Sequence, residues 1–190
     1  MQRNKAKTIE DLSKAAYIVF SQKGYERATV DEIAAIAGYT KGAFYWHFTC
    51  KEDLFVKIID YRIQAQQEEF LEYFNVKKDL FTNVHEVFIQ MVDFTRNDNW
   101  TPIFVEFLAQ AGRNEVVRKK MSSMYANWRG FLVKILNQLQ EVGYIPKETD
   151  THTTAAVIVA FFDGFNMQNL VEPGILDSQF ITKYLTKVLS

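Results

Sequence analysis

The sequence is poor in the residues that staple or break a fold. One cysteine in 190 residues cannot close an internal disulfide, which points to a reducing compartment. Three prolines and eight glycines supply few turn signals, which disfavours many short strands and suits long uninterrupted helices. The longest apolar run, 155–162, stops at Asp163 and is too short to cross a bilayer. The opening residues, Met1-Gln-Arg-Asn-Lys5, carry no signal-peptide pattern, so a soluble cytoplasmic protein with no membrane partner is expected. Histidine is scarce as well. His47, His85 and His152 lie far apart, with neither metal-ligand spacing nor a nucleophile and base to join, so no metal, no cofactor and no catalysis are expected.

An excess of charge of one sign is also missing. The net charge is −1, which taken alone argues against a nucleic-acid binder. The distribution argues the other way. Residues 1–51 hold 8 Lys and Arg against 5 Asp and Glu, whereas the remainder carries a balance of −4. A basic first quarter on an acidic remainder fits a chain with one DNA-facing end.

What is abundant is apolar and aromatic. Hydrophobic residues make up 48% of the chain and phenylalanine occurs 16 times, enough for a sizeable core. The periodicity is helical throughout. Ile9, Leu12, Ala16 and Phe20 recur at helical spacing from Thr8, with Gly24 as the stop. Thr29 and Glu32 form a capping-box pattern for a second helix that ends at Gly38. Thr40 caps a short third helix, and a fourth starts near Lys51 with Leu54, Ile58, Tyr61 and Ala65 on one face. Farther on, Leu80, Val84, Val87, Met91 and Phe94 make an apolar stripe, and Pro102 suits a helix's first turn. The longest helix is expected over 114–142, with Val117, Met121, Met124, Trp128, Leu132, Ile135 and Leu139 inward. Asp150 or Thr151 opens the next, and Asp177 caps the last. The expectation is an all-α chain of about nine helices.

Residues 29–48 carry the chemistry. Two short helices joined by a tight glycine turn are what a helix-turn-helix requires. Ala34 and Ala37 are small where the helices meet, and Ala43 is small enough to let the second helix enter a major groove. Tyr45, Trp46 and His47 offer polar-tipped aromatics to a DNA backbone, while Phe44 and Phe48 can pin the helix to the core.

These residues resemble the TetR family of transcriptional regulators (TetR/AcrR-like). The likeness spans about 47 residues: the Phe20, Gly24, Tyr25 end of the first helix, Thr29 to Ala34, Ala37-Gly38, Lys41 to Phe48, and Lys51 to Leu54. It implies a three-helix, homeodomain-like DNA-binding head, set at 1–50, and a six-helix ligand-binding and dimerisation body, 51–190. It also implies a homodimer on a pseudo-palindromic double-stranded operator and a small-molecule effector. Thr29, Thr40, Lys41, Tyr45, His47 and Lys51 match positions that usually touch DNA, and Gly42, Ala43 and Trp46 complete the expected set. Two positions depart from the common pattern. Tyr39 replaces a smaller aliphatic residue, and Cys50 replaces a capping Ser, Asp or Asn, leaving Thr49 as an alternative cap.

The resemblance places Met91, Phe94, Trp100 and Phe104 on helices around a ligand pocket, together with Phe107, Trp128, Phe131 and Phe162. Glu106, Gln110 and Asp163 are the polar candidates there, and Asp163, in a very apolar stretch, needs a partner if buried. Ala156, Ala160 and Gly164 form a stripe of small residues that admits a second helix closely, either within the chain or across a dimer axis. The resemblance favours the dimer, with Ile181 and Tyr184 from the last helix. The expected function is a ligand-responsive homodimeric repressor released from its operator by a small, largely apolar or aromatic molecule. The alternative is a DNA-binding regulator whose body docks a protein.

Overall fold

The computed structural model describes residues 2–75, 77–86, 89, 100–174 and 178–189, and every regular element among them is helical. In chain order these are α1 (Gln2–Arg27), α2 (Val30–Ile36), α3 (Lys41–His47) and α4 (Lys51–Tyr73). α5 is the helical segment 80–86. There follow α6 (Trp100–Ala109), α7 (Glu115–Glu141), α8 (Thr151–Val171) and α9 (Ser178–Leu189). Met91 and Phe94 lie outside the described residues, as does Asp177, the expected cap of α9.

Local chemistry accounts for most boundaries. Gly38 takes φ +76°, and behind it the amides of Gly38 and Tyr39 bond to the carbonyls of Ala35 and Ala34, closing α2 with a Schellman turn. Asn114 accepts from the amides of Val116 and Val117 at the head of α7. Asp150 does the same for His152 and Thr153 at the head of α8, as its position suggested. α1 begins six residues before Thr8, since nothing in 2–7 breaks a helix, and Thr8 itself is buried.

The chain divides into two compact units, Met1–Arg62 with Pro102–Ser122, and Ile63–Thr101 with Ser123–Ser190. The first is therefore discontinuous in sequence: residues from α6 and α7 pack with the N-terminal helices. Its centre is a group of rings. Phe20, Tyr25, Phe55 and Phe107 are almost fully buried, with centroids from 4.0 Å (Phe55 to Phe107) to 5.5 Å (Phe20 to Phe55). The core of the second unit gathers Phe70, Trp128, Leu132, Ile135, Leu139, Val159, Phe162, Phe165 and Ile181. All seven residues expected inward along α7 are buried.

α4 departs from its expected stripe. Leu54 and Ile58 are buried, but Tyr61 is 71% exposed and Ala65 is exposed too. The helix supplies Leu54, Phe55, Ile58 and Ile59 to the first unit and then Ile63 and Phe70 to the second. On a 3.6-residue pitch these two groups lie on different faces, so a single stripe cannot describe it.

Candidate functional site

The helix-turn-helix is built from two capped helices joined through Gly38. Thr29 Oγ1 accepts from the Glu32 amide, and Glu32 Oε2 accepts in return from the Thr29 amide at 3.1 Å and its hydroxyl at 2.9 Å. Lys23 pairs with the other oxygen of Glu32. With the Lys23 bond foremost and the Thr29 bonds behind it, the Glu32 carboxyl is held down to about 2. Thr40 caps α3 by accepting from the Ala43 amide at 3.1 Å. Phe44 and Phe48 anchor the helix inside, their rings 5.4 Å apart. The opposite side of α3 is bare: Tyr45 is 51% exposed and Trp46 82%. Gly42 is exposed, and a Cβ there would stand 3.7 Å from Thr40 Oγ1.

The charged side chains are largely paired. Lys41 reaches Asp31 on α2 at 2.8 Å, both side chains more than half exposed, and the bond to Asp31 raises the Lys41 amine above its ordinary value. His47 turns Nδ1 inward, where it finds no hydrogen-bond partner among the described residues. Tyr39 places its hydroxyl on Asp11 of α1 at 3.0 Å, so the phenol that departs from the common pattern braces the turn. Cys50 is half-buried, and burial raises its thiol above the usual value despite a bond from the Asp53 amide. Thr49, the alternative cap, bonds the Asp53 carboxylate through its amide at 3.0 Å.

Lys51 does not stand among these groups on the face of α3. Its Nζ donates to the carbonyls of Tyr25 at 2.7 Å, Ala28 at 2.9 Å and Glu26 at 3.2 Å, and it sits 4.3 Å from the Tyr25 ring centroid. Burial lowers its amine below the ordinary value. Glu106 is not a pocket group either. Its two carboxylate oxygens accept the amides of Tyr25 at 2.8 Å and Glu26 at 2.7 Å. Neither role has a sequence signal, since each joins residues 23 to 81 positions apart.

In the second unit Trp128 stacks on Phe131 at 5.5 Å, Phe131 meets Phe70 edge-on at 5.2 Å, and Phe162 belongs to the same core. Trp100 is half-buried and lies in this unit too. Phe104 and Phe107 belong to the first unit, and Phe107 is wholly buried against Phe55 in its core. Asp163 has the partner it needed. Burial pushes its carboxyl up, a hydrogen bond with Tyr125 opposes the shift, and Tyr125 is itself raised, first by burial and then by Asp163.

The outer side of α8 carries exposed Ala156 and Ala160, with Val157 at 58% and Val171 at 85% exposure. Gly164 lies on the same side, and among the described residues a Cβ there would meet nothing within 4 Å. Tyr184 is exposed on α9, whereas Ile181 is 4% exposed and packed into the core of its own chain, which sets it apart from the other expected dimer residues.

Comparison with known proteins matches both parts of the chain. Residues 12–58 match the family of bacterial regulatory proteins of tetR type, and residues 82–189 match the C-terminal region of BetI-type transcriptional repressors. The HTH-type transcriptional repressor BepR of Brucella suis is 27% identical over 174 residues, covering 87% of this chain and 83% of that one. Among solved structures, Salmonella enterica GusR superposes with a TM-score of 0.78 at 23% identity, covering 96% of this chain and 95% of that one. The transcriptional regulator FadR of Bacillus subtilis, solved with stearoyl-CoA, gives 0.75 at 19% identity, covering 95% and 96%.

Proposed function

The chain belongs to the TetR family of DNA-binding transcriptional regulators, which are not enzymes, and from that membership we propose that it is a homodimeric repressor released from a pseudo-palindromic operator by a small, largely apolar or aromatic effector. The observation that carries the reading is the division of α3 into two sides: Phe44 and Phe48 are buried, and Lys41, Tyr45 and Trp46 are bare. A recognition helix needs that division, because one side must be held rigidly while the other enters the groove.

Tyr45 and Trp46 supply the groove and backbone contacts, helped by Gly42 and Ala43, which keep the helix slim. Lys41 exchanges Asp31 for a phosphate, which positions the protein without reading sequence. Thr29, Thr40 and His47 lie at the edges of this surface. Two heads on one dimer must fit two major grooves at once, so a small change in their separation removes the bivalent advantage. The second unit, with Trp128, Phe131 and Phe162 and the Tyr125 and Asp163 pair, is the proposed sensor. The apolar outer side of α8 supports a twofold interface. FadR of Bacillus subtilis, a structural neighbour, holds stearoyl-CoA, which fits a family body that takes bulky apolar ligands.

The test is binding to promoter DNA flanking the protein's own gene, over a range of salt, by wild type and Tyr45→Ala. Tight, salt-sensitive binding by the wild type, lost in the variant, supports the reading. Absence of binding there and across a genome-wide search would overturn it.

A further inference from the structure

The corner between α1 and α2 is gripped from two sides by opposite charges. Gly24 interrupts α1 with φ +81° and ψ 166°, which takes the following amides out of the helical ladder. Glu106 of α6 supplies acceptors for two of them, Tyr25 and Glu26. A Cβ at position 24 would stand 2.7 Å from Glu106 Oε2, so the carboxylate needs glycine there as well as the positive φ. On the other side Lys51 takes three carbonyls of the same stretch. A lysine in the first turn of α4 lies at the wrong end of that helix's dipole. The last carbonyls of α1, in contrast, are where a cation is favoured. The Tyr25 ring, from the same stretch, is locked among Phe20, Phe55 and Phe107. Thr29, the cap of α2, follows Ala28 directly, so whatever holds 24–28 fixes where the helix-turn-helix begins.

We propose that Lys51 and Glu106 are positioning residues for DNA binding, holding the 24–28 corner from α4 and α6, and that Lys51 is not a phosphate contact. The inference rests on the DNA-binding reading above and assigns to α6 a direct hold on the head. The Lys51 ammonium has its three protons engaged by carbonyls, and a phosphate would have to displace them.

The experiment compares wild type, Lys51→Met and Glu106→Gln on an operator duplex and a scrambled duplex of the same length, across salt. Each variant should lose about tenfold or more in operator affinity, because charge-assisted bonds to the corner are lost. Affinity for scrambled DNA should stay within about twofold, and the slope of log affinity against log salt should be unchanged, since no phosphate contact is removed. A slope shallower by about 0.9 for each head in Lys51→Met, with a matching loss on scrambled DNA, would make Lys51 a phosphate contact and overturn its part. Operator affinity unchanged in Glu106→Gln would overturn the other part. Hydrogen exchange of Glu106→Ala, read without DNA, keeps the grip separate from the DNA reading. The amides of Tyr25 and Glu26 should exchange faster while those of α7 do not. Unchanged protection at 25 and 26 overturns the grip even if operator binding succeeds. A wild type that binds neither duplex overturns the DNA reading, and the positioning role with it, even if the exchange result stands.

Discussion

Tyr39 donates its phenolic hydroxyl to the Asp11 carboxylate across 3.0 Å, tying the turn between α2 and α3 to α1. Tyr39→Phe keeps the ring and removes the bond. It should cost about 1 kcal/mol, the net worth of one such hydrogen bond at a part-buried site. Urea unfolding would show it as a lower midpoint with an unchanged slope. An unmoved midpoint would mean that water replaces Asp11 without loss.

Phe107 fills the centre of the first unit, fully buried and 4.0 Å from the Phe55 centroid. Phe107→Ala should therefore destabilise by about 3–5 kcal/mol, the usual cost of emptying an aromatic core site. A loss below about 1 kcal/mol in denaturant titration would place the ring in a region able to collapse.

Asp163 should weaken the fold at neutral pH. Burial raises its carboxyl in the folded state, with the Tyr125 bond only partly opposing. Between the ordinary carboxylate value and the raised one, the folded state holds more protons, so stability falls as pH rises through that window. Asp163→Asn should melt higher than wild type at neutral pH, and the gap should close on acidification. A lower melting temperature at neutral pH would show that the Tyr125 bond outweighs the cost of burial.

Asp53 has the opposite sign. Burial raises it, but bonds from Lys120 and Thr49 outweigh that, and the net shift is down. Its contribution is present above the ordinary carboxylate value and is lost as pH falls through the lowered one. Asp53→Asn should accordingly melt lower than wild type at neutral pH and converge with it in acid. Equal melting at neutral pH would show that the pair with Lys120 is spent on desolvation.

Gly164 tests the twofold seam. Among the described residues nothing would meet an added Cβ, so Gly164→Leu should leave the helix content of α8 intact while weakening the proposed dimer. Light scattering reads the dimer and circular dichroism the helix. An unchanged dimer would move the seam off this side of α8.

The features readable in the sequence are local ones. Thr29 with Glu32, Gly38, and Thr40 with Ala43 each satisfy backbone groups within four or five residues, so residue order specifies the helix-turn-helix almost completely. The α7 stripe was legible for a similar reason: a long amphipathic helix writes its buried face at a fixed period. The same reasoning misplaced Tyr61 and Ala65, because α4 changes its buried face midway, and Ile181, because an apolar residue does not announce whether it packs in its own chain or on another.

By itself, then, the sequence determined the all-helical class, the capped recognition helix with its Tyr45 and Trp46 face, and the family likeness. Only the tertiary structure decided that α6 packs with the N-terminal helices, that Lys51 and Glu106 hold the 24–28 corner, and that Phe107 is core. Lys51 and Glu106 look in sequence like an exposed cation and a pocket acid. Caps and periodic faces depend on neighbours a turn away, which the chain order supplies. A carboxylate that finds amides some 80 positions earlier depends on where the packed helices bring it, and no local spacing encodes that.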